Sequence, residues 1–271
     1  METGNLLRMS KRTKTIDPYY LEINETVLRH ICKEISSYSF ADHTWEVPED
    51  LTPLATIVGS AEVAKLDAVT DSAEKNILLR SILSKPLKAP NHELRLAAME
   101  WVVYDWGHVR QAISEKHKTW PKALGNYSED TVASFIAERY EDRVASWSKV
   151  LAFADASKYA IYDARVAMTL NAMVDEINYP NRFYLPEPSS TVLKQIFQDI
   201  RDFVRSKDDK VQKYIGYFDY MKLLHEIVKR GAAKNVLEVE MKLFASAYEY
   251  AEKYSKKYDL GVDFSRTKNS N

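Results

Sequence analysis

Metal or thiolate chemistry would have to be built from six histidines and one cysteine. His30, His43, His92, His108, His117 and His225 form no H-x-H or H-x-x-x-H spacing, so a dedicated metal site is not expected. Cys32 has no second cysteine to pair with and reads as a small hydrophobe on an apolar helix face. No G-x-S-x-G is present to hold a nucleophilic serine on a strained turn. What stands out is Asp163, placed where a helix should begin, with Lys149 fourteen residues before it. A carboxylate at a helix N-terminus is held ionised by the helix dipole, and it can stabilise a developing cation or orient water for attack. The plain alternative is that Asp163 is a helix N-cap and nothing more. Lys149 lies on an apolar helix, where burial would lower its pKa and make the amine a nucleophile; a surface lysine or a phosphate contact is the other reading.

The elements that must position these groups are helical. Average glycine usage would place roughly 19 glycines in a chain of this length, and only 7 of the 271 residues are glycine. Sheet-rich folds need glycine at tight turns, and nucleotide-binding α/β folds need a glycine-rich loop; no G-x-G-x-x-G or G-x-x-x-x-G-K occurs. Apolar spacing predicts helices over 18–38, 60–68, 71–84, 92–116, 128–140, 164–173, 190–206, 208–229 and 234–257. Asp71, Asn91, Ser128 and Asp163 are the expected N-caps. Connections are expected at 43–53, 86–90 and 120–127, and a proline-rich one at 179–189 is the sole candidate sub-boundary. Residues 1–16 read as a flexible basic terminus, and 17–271 as a single helical unit. The 38 basic and 39 acidic residues nearly cancel, so contact with a polyanion must come from a local face. Lacking a signal-peptide pattern or a run of 18 apolar residues, the chain is expected to be cytoplasmic, with no membrane partner.

The stretch Ser148-Lys149-Val150-Leu151-Ala152-Phe153, followed by Ile161-Tyr162-Asp163-Ala164-Arg165-Val166-Ala167, resembles the active-site segment of the helix-hairpin-helix DNA glycosylase superfamily. Within that superfamily it is most similar to the bacterial 8-oxoguanine-glycosylase-like branch, in which S-K-x-L-x-F precedes I-Y-D-S-R-V-A. The resemblance covers about thirty residues. It implies an all-α, two-lobed glycosylase-like architecture, here with an altered hairpin, because no glycine occurs between Gly125 and Gly216. It also implies that the protein flips a modified base out of double-stranded DNA and cleaves its N-glycosidic bond, in repair or antiphage defence, with no cofactor. The implied base is an oxidised purine or a hypermodified phage pyrimidine. Asp163 would stabilise the oxocarbenium-like cation at C1′ or orient water, and Lys149 would attack C1′ in an associated lyase step. Arg165, Lys158, Arg143 and Arg139 would contact DNA phosphates. Tyr162, Trp106 and Trp147 would form the base pocket, with core packing as the plain alternative for each. The rival reading of the whole chain is a non-catalytic helical module that binds DNA or a protein.

Overall fold

The computed structural model describes residues 23–38, 45–109, 115–125, 127–139, 141–206 and 214–265. The basic terminus expected at 1–16 lies outside these residues. The described chain is all-α apart from one two-residue strand pair, and it divides into two compact units, Met1–Tyr38 with Asp163–Ser270 and Ser39–Tyr162.

The Ser39–Tyr162 unit contains α2 (Thr52–Val58), α3 (Ser60–Asp67), α4 (Ser72–Leu87) and α5 (His92–Glu100). A π-helical turn (Trp101–Trp106), α6 (Glu115–Lys118), α7 (Trp120–Leu124), α8 (Glu129–Arg139) and α9 (Val144–Ala154) complete it. The caps expected from sequence form: Asp71 accepts the Glu74 amide and Asn91 the Leu94 amide. Pro53 and Pro121 stand in the first turns of α2 and α7, where a missing N–H costs nothing; residues 120–124, expected to be a loop, are thereby helical. The helix expected over 92–116 changes hydrogen-bond pattern at Trp101, and its π-helical turn ends at Gly107. The turn is tied from a distance. The Trp106 indole donates to Asn76 Oδ1 at 2.8 Å, and the Trp106 carbonyl accepts the Trp45 indole N–H at 3.1 Å. Buried along nearly its whole length, α9 packs against α4 and the π-helical turn as a central helix would.

The other unit contains α1 (Glu25–Ser37), α10 (Ala164–Glu176), β1 (Arg182–Phe183), α11 (Thr191–Ser206), β2 (Tyr214–Ile215), α12 (Tyr217–Lys229), α13 (Val236–Ala245) and α14 (Ala247–Lys257). Its centre is α10, buried from Val166 to Asp175 and packed on α1, α11, α13 and α14. The strands pair in parallel, Arg182 opposite Tyr214 and Phe183 opposite Ile215. The sub-boundary expected at 179–189 falls inside this unit. Its prolines stiffen a segment that is clamped: Asn171 exchanges hydrogen bonds with the Phe183 N–H and C=O at 3.0 and 3.1 Å, and Arg182 pairs with Asp175 at 2.6 Å. The helix expected over 234–257 is two helices broken at Ser246, whose hydroxyl bonds back to the Lys242 carbonyl at 2.9 Å.

Candidate functional site

Helix α9 reads Val-Ala-Ser-Trp-Ser-Lys-Val-Leu-Ala-Phe-Ala, and its two polar residues of interest are both interior. Lys149 is 6% exposed, and its Nζ donates to the Ala145 carbonyl one turn back at 2.7 Å. Ser148 is buried, and its hydroxyl accepts the Tyr162 amide at 3.0 Å. Between them the chain turns at Asp155, whose Oδ1 accepts the Ser157 amide and hydroxyl, and then runs through buried Tyr159, Ala160, Ile161 and Tyr162. The clamp on Tyr162 fixes the backbone one residue before Asp163.

Asp163 opens α10 in an extended conformation and caps it. Its Oδ1 accepts both the Arg165 and the Val166 amides, at 3.0 and 3.1 Å. Among the described residues its Oδ2 makes no hydrogen bond. One oxygen thus completes the helix. Asp163 and Lys149 belong to different compact units. Arg165, in the first turn of α10, lays its guanidinium over the rings of Phe244 at 4.6 Å and Tyr248 at 5.0 Å.

The remaining residues singled out by sequence take internal partners in the Ser39–Tyr162 unit. Arg139 lies over the Phe135 ring at 3.8 Å and donates to the Phe135 carbonyl; burial lowers its pKa against the opposing pull of Glu138. Arg143 has left-handed backbone (φ +57°) at the start of α9, and its Nη1 donates to His117 Nε2 at 3.2 Å. Lys158 pairs with Glu129 at 3.0 Å. Trp106, Trp147 and Tyr162 are all buried. Trp106 meets Phe153 edge-on at 4.7 Å, and Trp147 donates to the Asp142 carbonyl at 2.9 Å. Their rings are enclosed by packing and do not line an open surface.

Sequence reasoning passed over the cluster around His117, where only the spacing to other histidines was informative. The imidazole is buried, meets the Trp120 ring at a 48° tilt with centroids 4.2 Å apart, and bonds Tyr104 Oη through Nδ1. Because a guanidinium only donates, Nε2 is the acceptor, and Nδ1 carries the proton towards Tyr104. Burial first, and then the Arg143 charge, push the His117 pKa from near 6.5 down to about 4. A histidine held neutral in the folded state favours unfolding once the unfolded chain takes up its proton. Its stabilising contribution is complete above pH 6.5 and is lost as the pH falls towards 4. The unfolding midpoint should therefore drop across that window, and His117→Gln should remove much of the slope; urea titrations at pH 7, 5.5 and 4.5 check it.

No three metal-ligating side chains come together among the described residues, and none of their helices is long and apolar enough to cross a membrane. The chain matches no protein-family model, no curated protein and no solved structure.

Proposed function

We propose that the protein is a DNA glycosylase that flips a modified base from double-stranded DNA and cleaves its N-glycosidic bond, with Asp163 as the essential carboxylate. The observation that carries this reading is the divided role of Asp163, whose Oδ1 caps α10 while Oδ2 makes no hydrogen bond among the described residues. An anion held at a helix N-terminus favours the cationic character that grows at C1′ as a base departs, or aligns water for attack on that carbon. The order of elements supports it too: α8, a turn at 141–143, α9 with its buried lysine, the clamped run to Tyr162, then the capped α10. In this reading Arg143 occupies the left-handed turn position where glycine would be usual. Lys149 supplies the amine for an associated lyase step, and Arg165 and Lys158 face the phosphates. The substrate class is DNA carrying an oxidised purine or a hypermodified pyrimidine, and the role is repair or antiphage defence.

The test is to incubate the protein with duplexes containing each kind of base, assaying released base by mass spectrometry and abasic sites by alkaline strand cleavage. Release from at least one modified duplex, and none from unmodified DNA, is the expected result; no release from any of them overturns the reading. The enclosure of Trp106, Trp147 and Tyr162 favours one alternative, a non-catalytic helical module. Its signature is DNA binding with a steep salt dependence and no base loss.

A further inference from the structure

We infer that His117 is a positioning residue for Arg143, and that the guanidinium it aims contacts a phosphate of the DNA backbone. The inference rests on the proposed function in taking duplex DNA as the partner. Arg143 is half-buried at the start of α9, and its Nη1 donates to His117 Nε2 at 3.2 Å. Among the described residues that is the one hydrogen bond of its guanidinium, and no carboxylate pairs with it, neither Glu141 nor Asp142 beside it in the turn. Other arginines of the chain are held by acids: Arg182 by Asp175 at 2.6 Å, Arg230 by Glu25 at 2.7 Å and Arg201 by Glu187 at 3.3 Å. Arg143 differs in kind, because its partner is an uncharged acceptor.

An uncharged acceptor directs a guanidinium and leaves its positive charge whole, whereas a carboxylate in the same place would neutralise it. His117 is suited to this duty by what holds it. Tyr104 Oη takes the Nδ1 proton, so Nε2 is left as the acceptor, and the Trp120 ring packs against the buried imidazole. Burial first, and then the Arg143 charge, push the pKa down to about 4, so Nε2 stays unprotonated at neutral pH. The guanidinium is thereby tied at Nη1, and its remaining N–H groups lie in a plane that the tie fixes. A planar fork with donors to spare matches a phosphate, whose non-bridging oxygens accept parallel N–H bonds. The first turn of α9 adds no acidic side chain to compete for those donors. Tyr104, His117 and Arg143 thus form a chain in which each group orients the next, and its last member carries an unspent charge.

The experiment measures binding of the full chain to a short, unmodified, fluorescein-labelled duplex by anisotropy over a series of salt concentrations. Arg143→Gly, which the left-handed backbone accommodates, is expected to bind roughly tenfold more weakly, with the salt slope reduced by about one. His117→Asn keeps a donor for Tyr104 but is too short to reach Arg143, and should bind roughly threefold more weakly. His117→Gln, whose Oε1 replaces Nε2 as the acceptor, should stay within about twofold of wild type. Because His117 acts through Arg143, adding His117→Asn to Arg143→Gly should cost no more than about a further twofold. Affinity and salt slope unchanged in Arg143→Gly overturn the inference, and so does a His117→Asn loss that persists in full in the double variant. Should His117→Asn not fold, Arg143→Gly decides alone. The two readings fail separately: binding that depends on Arg143 without release of any modified base removes the glycosylase and keeps this inference, while base release by an enzyme whose binding ignores Arg143 does the reverse. No binding by the wild-type protein overturns both.

Discussion

Asp175→Ala is expected to lower the unfolding free energy by about 3–5 kcal/mol, the usual cost of removing one partner from a buried ion pair. Asp175 and Arg182 are 3% and 2% exposed, and their Nη2–Oδ1 contact is 2.6 Å. The second carboxylate oxygen takes Lys257 Nζ at 2.7 Å, and Tyr258 Oη lies 2.9 Å from both oxygens. One carboxylate therefore ties together the end of α10, the strand β1 and the end of α14. Removing it strands the Arg182 guanidinium, which is packed on the Phe203 ring at 4.4 Å and cannot reach water without opening the unit. Arg182→Met should cost less, because Asp175 keeps Lys257 and Tyr258. The double variant Asp175→Leu/Arg182→Met should cost less than the sum of the two single changes, since no buried charge is left alone. Urea denaturation of the three variants measures this. A loss below about 1 kcal/mol for Asp175→Ala would place the pair among the weak surface interactions.

That same carboxylate shows why the sequence misleads at 179–189. Three prolines in a short aromatic run look like a linker, but proline reports stiffness, and the residues that decide attachment, Asn171 and Asp175, lie on the preceding helix. Local signals served well. Asp71, Asn91 and Asp163 each accept amides two or three residues on, within the span that a sequence pattern covers. Elements governed from afar were illegible. The helix expected to continue past Trp101 becomes a π-helical turn tied to Asn76 and Trp45; of the helix expected over 208–229, residues 208–213 lie outside the described residues, and Tyr214–Ile215 form a strand paired with Arg182–Phe183 ahead of the helix Tyr217–Lys229. Within the candidate site, the position of Asp163 and the apolar setting of Lys149 were legible. The capture of Arg143 by His117 was not, because its partner is 26 residues away and the left-handed backbone at Arg143 carries none of the usual glycine or asparagine.

On the proposed function, Asp163→Asn should separate capping from catalysis, slowing base release by roughly 10²–10³-fold while leaving the fold intact. Asparagine is as good an N-cap as aspartate. Its Oδ1 can accept the Arg165 and Val166 amides as the carboxylate does, so the stability change is expected to stay within about 0.5 kcal/mol. What the variant lacks is the negative charge on the oxygen not used in capping, which is the feature a cationic transition state at C1′ would exploit. Asp163→Ala removes both, and should add to the rate loss a stability loss of about 1 kcal/mol from the uncapped α10. On the same proposal, binding to DNA is expected to move the opposite way. Deleting a carboxylate beside phosphates leaves affinity unchanged or raises it, so a fall in single-turnover rate cannot be put down to weaker binding. Equal rates for wild type and Asp163→Asn, with the expected capping loss in Asp163→Ala, would reduce Asp163 to a structural cap and turn the assignment towards the non-catalytic module.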